Sequence, residues 1–333
     1  MAIAKLNLRR IRVKKPKQVI IEVTQRCNLK CKYCPSLTCD SSTDMPLEKF
    51  KEIVDKIDDP AATVIPWMNG EPMLHPDYHK MLEYLGEKGF RAYITTNGTI
   101  YRPEVAEVIK TYPSIYQVII SLDGLKYETI EKTRPGSSPH IIIDSIMQYA
   151  KTLKGSGTDV AVKICERGQD WEEIERFLKQ WLFNVDFVIV GKRLGQINDV
   201  GMRQYPCQYF DNNFIVIRAD GTLVPCAYHD EMINKNAWPL GNIDDFDTTT
   251  KAYNNPRYKK LRQLQDDKAF PSPCDKCSFA YTGASFHGIV DLEAPYLGKV
   301  YMHQDYYNQF FSLTQKEKPQ SYYGHQEYSF NSR

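Results

Sequence analysis

The stretch QVIIEVTQRCNLKCKYC, residues 18–34, joins an apolar run to three closely spaced cysteines. The run QVIIEVT is rich in β-branched residues, which favour a buried β-strand. Cys27, Cys31 and Cys34 follow in the loop that leaves this strand. Cysteine is reactive and usually sparse, so a tight trio directly after a strand indicates a chemical role for the loop.

Five further apolar runs resemble the first, and longer amphipathic stretches separate them. The predicted strands span residues 18–24, 62–67, 91–96, 115–123, 159–165 and 185–191. The predicted helices between them span residues 46–57, 76–89, 103–112, 141–153 and 170–182. This alternation is typical of parallel strands with crossover helices, and six such units predict an α/β fold, an open partial (βα)6 barrel. In such folds the active site lies at the carboxyl ends of the strands.

The composition of the 333-residue chain is that of an ordinary globular protein, with 42% hydrophobic and 25% charged residues and a net charge of +2. The near-neutral charge gives no argument for nucleic acid or an anionic membrane as a partner. No apolar run reaches the roughly 18 residues of a membrane span, and the basic amino-terminal segment lacks the apolar core of a signal peptide. We therefore expect a cytoplasmic protein whose nine cysteines are ligands or reactive groups rather than disulfides.

A second group of cysteines lies towards the carboxyl terminus. The segment FIVIRADGTLVPC, residues 214–226, predicts a β-hairpin with an Asp-Gly turn. Cys207 and Cys226 flank this hairpin, and Cys274 and Cys277 form a C-x2-C pair. Four thiolates arranged in this way make a closed site that could hold zinc or an iron–sulfur cluster.

The first trio allows different chemistry from a closed site. Three thiolates on one loop can hold three irons of a cubane cluster and leave the fourth iron open, whereas an electron carrier normally supplies four cysteines. Zinc is the competing interpretation, but three closely set cysteines with no histidine between them fit structural zinc spacing poorly.

The spacing C-x3-C-x2-C, with the aromatic Tyr33 before the last cysteine, resembles the signature of the radical S-adenosylmethionine (SAM) superfamily. The resemblance implies that the open iron binds the amino and carboxylate groups of SAM. It also implies that one electron from the cluster cleaves SAM to methionine and a 5′-deoxyadenosyl radical, which abstracts hydrogen from an unactivated C–H bond.

Motifs at the ends of the next strands strengthen this resemblance. MNGEP, residues 68–72, is similar to the family's glycine-glycine-glutamate-proline turn, with Asn69 in place of the first glycine. TTNGT and SLDG end the third and fourth strands. The resemblance implies that the turn binds the SAM amino group and that Ser121 and Asp123 contact the ribose. Arg134, in the loop TRPG, could pair with a carboxylate such as that of SAM. The cofactor-binding residues expected on this basis are Tyr33, Asn69, Gly70, Glu71, Pro72, Thr95, Asn97, Ser121, Asp123 and Arg134.

The second cysteine set resembles the twitch domain, a shortened SPASM domain, like that of the aminocyclitol dehydrogenase of antibiotic biosynthesis. A full SPASM pattern continues with further cysteines, and none follows Cys277 here, which implies a single auxiliary [4Fe–4S] cluster. A structural zinc knuckle is the alternative. The metal ligands expected are Cys27, Cys31 and Cys34 for the catalytic [4Fe–4S] cluster and Cys207, Cys226, Cys274 and Cys277 for the auxiliary cluster.

These motifs divide the chain into three predicted parts. Residues 1–195 form the radical SAM partial barrel, residues 196–285 the twitch or SPASM-like domain, and residues 286–333 a tyrosine-rich extension without clear periodicity.

Cys165, which ends the fifth strand, distinguishes two chemistries. A thiol at the barrel mouth could return a hydrogen atom to a substrate radical, as an epimerase requires, whereas a dehydrogenase needs a base and an electron-accepting cluster. A buried, inert cysteine is the alternative. The remaining candidates are Arg193 and Tyr228 for catalysis, and Trp67, Lys163 and Glu166 for substrate binding; strand-end charges can equally be solvated loop residues.

The sequence therefore predicts hydrogen abstraction from a small polar metabolite (a sugar, aminocyclitol or nucleoside), giving dehydrogenation or epimerisation. The short second cysteine set favours a small substrate, as does the lack of room before residue 18 for a domain that binds a leader peptide. Modification of a peptide or protein by a SPASM-type enzyme is the alternative, and a non-catalytic iron–sulfur electron carrier is the alternative of another class. The expected protein partner is a flavodoxin- or ferredoxin-type reductant.

Overall fold

A computed structural model describes residues 13–34, 43–165, 171–191, 206–211, 213–227, 238, 240–272, 274–277, 289–290 and 299–302. All six predicted strands are present, each within its predicted bounds. They are β1 (Gln18–Ile21), β2 (Thr63–Ile65), β3 (Arg91–Thr96), β4 (Ile115–Ser121), β5 (Asp159–Cys165) and β6 (Phe187–Gly191). Neighbours in the chain pair in parallel, which confirms the predicted α/β sheet.

Helices connect these strands and cover the outer face of the sheet. They are α1 (Leu47–Asp55), α2 (Tyr78–Glu87), α3 (Pro103–Thr111), α4 (Tyr127–Thr133), α5 (Pro139–Leu153) and α6 (Trp171–Trp181). Five of them match predicted helices, and only the short α4 has no counterpart in the sequence analysis. An apolar stripe anchors each long helix; in α1 it consists of Phe50, Ile53 and Val54, all buried. None of the described helices has the length and hydropathy that crossing a bilayer requires.

The predicted hairpin is present as β7 (Phe214–Ile217) and β8 (Leu223–Val224), which pair antiparallel. Gly221 in its turn has a φ of 82°, a left-handed conformation that glycine adopts without strain. β7 also pairs in parallel with β1, so the hairpin extends the barrel sheet. Three helices accompany it: α7 (Gln208–Asp211), α8 (Thr249–Tyr253) and α9 (Pro256–Asp266).

The opposite edge of the sheet is extended by two strands from the tyrosine-rich part of the chain. β10 (Lys299–Met302) pairs in parallel with β6, and β9 (Ile289–Val290) pairs antiparallel with β10. The ten described strands therefore form one sheet in the order β8-β7-β1-β2-β3-β4-β5-β6-β10-β9. The sequence predicted neither this pairing nor that of β7 with β1.

The two faces of the barrel sheet differ in burial. Ile94, Val118 and Val160, which pair across β3, β4 and β5, are almost completely buried beneath the helices. Successive strand residues point to opposite faces. Tyr93 and Thr95 therefore lie on the other side, called the inner face below, and both are only half-buried. A chemical site at the strand ends consequently opens onto the inner face.

The hairpin segment is also fastened to the barrel by polar contacts beside α1. Asp58 Oδ1 accepts hydrogen bonds from the Thr249 hydroxyl and the Thr250 N–H, each at 3.1 Å, at the start of α8. Lys56 Nζ donates to the carbonyl oxygen of Ile243 at 3.0 Å. Partial burial alone would raise the pKa of Asp58, but the hydrogen bonds from the two threonines outweigh it and hold that pKa below its ordinary value.

Asp58→Asn should lower the free energy of unfolding by about 1 kcal/mol at neutral pH, because a charged acceptor at a helix start is lost. A carboxylate whose pKa is lower in the folded than in the unfolded state stabilises the folded protein at pH values above the unfolded-state pKa. This contribution disappears as the pH falls through the folded-state pKa. The difference in the free energy of unfolding between wild type and variant should therefore become smaller below about pH 4. Urea unfolding at several pH values measures this difference, with Glu87→Gln, at an exposed position of α2, as the control. A difference that does not change with pH would contradict this role.

Candidate active site

The turn after β2 packs directly against the loop that leaves β1. A Cβ atom on Gly70 would lie 2.2 Å from the carbonyl oxygen of Thr24 and 2.8 Å from that of Arg26. The N–H of Glu71 donates to the same Arg26 oxygen at 2.8 Å. Only a glycine permits this approach. The predicted SAM-binding turn is therefore seated on the residue that precedes Cys27.

The carboxylate of Glu71 joins the ends of β2 and β3. It is buried, and its Oε1 accepts hydrogen bonds from the Thr96 hydroxyl at 2.7 Å and the Met73 N–H at 3.1 Å. Its Oε2 accepts from the N–H of Asn97 at 2.6 Å. Burial raises the pKa of Glu71, whereas these three hydrogen bonds favour its ionised form. The side chain thus acts as a fixed acceptor at the strand ends.

Asn97 extends this network to the loop of residues 22–34, which leaves β1, carries Cys27, Cys31 and Cys34 and is called the cysteine loop below. Its Nδ2 donates to Asn28 Oδ1 at 2.8 Å and lies 3.9 Å from the Cys27 sulfur. Its Oδ1 accepts from the N–H of Thr99 at 2.9 Å. The carboxyl ends of β1 to β5 and the turns that follow them are called the rim below. Of the other predicted SAM-contact residues at the rim, Asn69 is buried and Pro72 begins a short 3-10 helix.

The first three cysteines lie close together, and the N–H of Cys34 donates to the carbonyl oxygen of Cys31 at 3.0 Å. Burial raises the pKa of the Cys27 thiol to about 11, and the nearby charges of Glu71, Cys34 and Cys31 add to this. A nearby cation would favour the ionised form of the Cys27 thiol, and the irons of a cluster would supply that positive charge.

The chemistry of this donor set suits an iron–sulfur cluster. Cys27, Cys31 and Cys34 are free thiols on one loop, and thiolates are the ligands that such clusters take.

The turn after β4 reaches the cysteine loop from the other side. Asp123 is buried, and its Oδ2 accepts the Tyr33 hydroxyl at 2.7 Å. Its Oδ1 accepts the N–H of Cys165 at 3.0 Å. Arg134 Nε lies 3.8 Å from Oδ2, and its guanidinium also donates to the carbonyl oxygen of Ser121. Burial opposes the charge of Arg134, but the neighbouring Asp123 carboxylate outweighs it and raises the pKa of the guanidinium.

The substrate candidates in the described residues lie at or near the same rim. The ring of Trp67 packs edge-to-face against Tyr93 of the inner face, with centroids 6.3 Å apart. Lys163 pairs with Ser121 across β4 and β5, and half-buried Cys165 ends β5. Arg193, Tyr228 and Glu166 lie outside the described residues.

The sequence analysis missed two polar clusters beside the rim. Asp44 accepts hydrogen bonds from Thr24 at 2.6 Å and from Arg26 at 2.6 and 2.9 Å. Glu22, completely buried, accepts from Gln25 at 2.9 Å and from the N–H of Ala219 at 3.3 Å. The sequence contained a signal for these two clusters, because the polar residues Glu22 and Thr24 interrupt an apolar run immediately before the first cysteine.

Residues of the second cysteine set lie near α9 in space or follow it in the chain. The N–H of Cys207 donates to Gln265 of α9 at 3.3 Å. Tyr258 of the same helix donates to the carbonyl oxygen of Val224, two residues before Cys226, at 3.1 Å. Cys274 and Cys277 follow the end of α9, and the N–H of Cys277 donates to the carbonyl oxygen of Cys274 at 3.3 Å. All eight described cysteines are free thiols, so these four can serve as thiolate donors.

Sequence comparison places this architecture in a family. Residues 21–180 match the Radical SAM superfamily, and residues 207–278 match SPASM, an iron–sulfur cluster-binding domain. The chain is 31% identical over 317 residues to the antilisterial bacteriocin subtilosin biosynthesis protein AlbA of Bacillus subtilis (strain 168), an alignment that covers 81% of this chain and 67% of AlbA. This chain belongs to the radical SAM superfamily.

Solved structures agree on the fold. Streptococcus suis SuiB bound to S-adenosylmethionine superposes with a TM-score of 0.63 at 16% identity, covering 82% of this chain and 73% of SuiB. BtrN in complex with AdoMet and 2-DOIA gives a TM-score of 0.53 at 16% identity, covering 79% of this chain and 93% of BtrN. At such identities the likeness concerns the fold alone. The predicted radical SAM barrel with a SPASM- or twitch-type domain is confirmed.

Membership of this superfamily identifies the chain as a radical SAM enzyme. The two domains imply SAM, a catalytic [4Fe–4S] cluster and an auxiliary [4Fe–4S] cluster, as the sequence predicted. The part played by each individual residue, and the boundaries of the three segments, stay predictions.

Gly70→Ala should lower the free energy of unfolding by about 2 kcal/mol or more, because a methyl group would overlap the backbone of the cysteine loop. Gly155→Ala is the matched control. Gly155 has a φ of 77° with open space around it, so its substitution should cost only about 1 kcal/mol of backbone strain. Urea unfolding of both reconstituted variants measures the difference. An equal loss of unfolding free energy in the two variants would show that the close backbone approach at Gly70 does not determine the position of the turn.

Proposed function

We propose that this enzyme uses radical SAM chemistry to modify a residue of a peptide or protein. The observation that carries this proposal is the similarity to AlbA, a bacteriocin biosynthesis protein, which extends over 81% of this chain and so includes both domains. SuiB, whose fold is similar, has been solved with its precursor peptide SuiA. These comparisons favour the alternative of the sequence analysis over a small metabolite. The match covers 67% of AlbA, so it supports a substrate class rather than a particular peptide.

The proposed role of each residue at the rim depends on its position. When bound, SAM and the catalytic cluster supply the radical that abstracts hydrogen from the substrate. Cys27, Cys31 and Cys34 would hold that cluster. The turn at Gly70 would hold SAM next to it, because its backbone already touches the residue before Cys27.

The inner face next to this rim suits the side chain of one substrate residue. The rings of Trp67 and Tyr93 offer an apolar wall, which would exclude water from the reacting C–H bond. Lys163, the neighbour of Ser121 across β4 and β5, offers an ammonium group that can bind the substrate backbone.

Oxidation or epimerisation of a small metabolite is the second candidate, and Cys165 is the residue that favours it. The side chain is half-buried at the end of β5, and its backbone is fixed by Asp123. A thiol held there could return a hydrogen atom to a substrate radical.

Deuterium transfer separates the two substrate classes. A lysate of the host organism grown in heavy water is divided by size, and each fraction is incubated anaerobically with reconstituted enzyme, SAM and dithionite. We expect deuterium in 5′-deoxyadenosine with the peptide fraction, and its loss when that fraction is first digested with protease. Transfer only from a low-mass, protease-resistant fraction would replace the peptide proposal with the metabolite one. A Cys27→Ala enzyme is the control for background exchange.

Removing each cysteine set should have different consequences. Replacing Cys27, Cys31 and Cys34 by alanine should abolish SAM cleavage and lower the iron content from about eight to about four per chain. Replacing Cys207, Cys226, Cys274 and Cys277 should remove the other four or so irons, yet leave reductive SAM cleavage detectable. Iron, sulfide and zinc assays with 5′-deoxyadenosine detection measure both. Cys165→Ala is the matched control and should keep about eight irons.

About four irons with one zinc in the wild type would contradict the auxiliary cluster. An unchanged iron content after removal of the first trio would contradict the assignment of its cysteines.

A further inference from the structure

We propose that Asp123 is a positioning residue that fixes the cysteine loop through Tyr33, rather than a residue that contacts the ribose of SAM. The inference rests on the proposed assignment of Cys31 and Cys34 as cluster ligands. It concerns how the protein holds these two thiolates in place.

The carboxylate of Asp123 already serves the protein. Its side chain is completely enclosed, Oδ2 accepts the Tyr33 hydroxyl at 2.7 Å, and Oδ1 accepts the Cys165 N–H at 3.0 Å. Arg134, also buried, balances the charge from 3.8 Å. An acceptor with both oxygens engaged and almost no accessible surface is poorly presented to a sugar hydroxyl.

Two consecutive residues of the cysteine loop contact Asp123 and the helix that follows it. Tyr33 does so through its hydroxyl, and the N–H of Lys32 donates to the carbonyl oxygen of Thr133 at 3.3 Å. The loop between the last two cysteines is therefore fastened to the end of β4 and to α4.

The backbone at Asp123 supports a positioning role. Its φ of 62° is left-handed, a conformation that is uncommon for residues other than glycine. Such a conformation persists only where the surroundings determine it, and here Tyr33, Cys165 and Arg134 do so. Glu173 fixes the next residues, since it accepts hydrogen bonds from the Leu125 N–H and the Thr129 hydroxyl.

Partners that orient ligand residues from outside a metal site typically change metal affinity 10–100-fold when removed. Tyr33→Phe deletes only the hydroxyl, so we expect iron loss to a chelator to become about tenfold faster or more. Asp123→Asn, which tolerates a left-handed backbone, should act in the same direction. The double variant should lose iron no faster than the stronger single variant, because both changes break one contact.

The measurements are iron release from the reconstituted enzyme by visible absorbance, SAM binding by equilibrium dialysis, and the electron paramagnetic resonance spectrum of the reduced cluster with and without SAM. Tyr84→Phe is the matched control. It deletes another tyrosine hydroxyl bonded to an aspartate, Asp55, at 2.8 Å on the exposed surface, and should change none of these readouts.

Two results would overturn the proposal. One is a Tyr33→Phe enzyme that releases iron at the wild-type rate. The other is an Asp123→Asn enzyme that keeps its iron and its cluster spectrum but binds SAM at least about tenfold more weakly, which would make Asp123 a SAM contact. A wild-type protein without the first cluster would instead refute the proposed function itself, so the two failures are distinguishable.

Discussion

One buried carboxylate, that of Glu71, sets the arrangement on which the rest of the site depends. Its side chain accepts hydrogen bonds from the residues that end β3, and its own N–H donates to the loop that leaves β1. An enclosed carboxylate is tolerated only when its acceptors are satisfied, and the loss of one donor would leave an uncompensated charge. The ends of three strands are therefore held in one geometry, with Gly70 pressed against Thr24 and Arg26.

A second buried charge couples the barrel to the hairpin segment. Glu22 at the end of β1 accepts from Ala219 and lies 3.6 Å from Arg218, while the Glu22 N–H donates to Ile217 at 2.8 Å. Breaking such a pair typically costs about 3–5 kcal/mol because one charge stays buried. β1 thus leads into the cysteine loop at its carboxyl end, and along one edge it pairs with β7, the strand that leads to β8 and Cys226. The two cysteine sets are consequently placed relative to each other by a single strand.

The sequence was sufficient for those features that depend on local pattern. β-branched runs identified β1 to β6, and the motifs after them identified the rim, because parallel strands bring their carboxyl ends together. Features that depend on distant pairing were not accessible. The parallel pairing of β7 with β1 leaves no local signature beyond that of any hairpin, and the two-residue β9 is too short for periodicity. The contact from Tyr33 to Asp123 joins residues 90 positions apart, so only the fold brings them together.

The continuous sheet also bears on the size of the substrate. One of the two sequence arguments for a small molecule was the short second cysteine set, but the number of cysteines limits only the auxiliary clusters. Access depends on the walls of the inner face. Trp67 and Tyr93 contact each other beside β2 and β3, and the hairpin extends the sheet beyond β1. One residue of a longer chain can reach such a surface while its flanking residues stay outside, so this geometry is compatible with a peptide as well as with a metabolite. The choice of a peptide therefore depends on the similarity to AlbA across both domains rather than on the dimensions of the site.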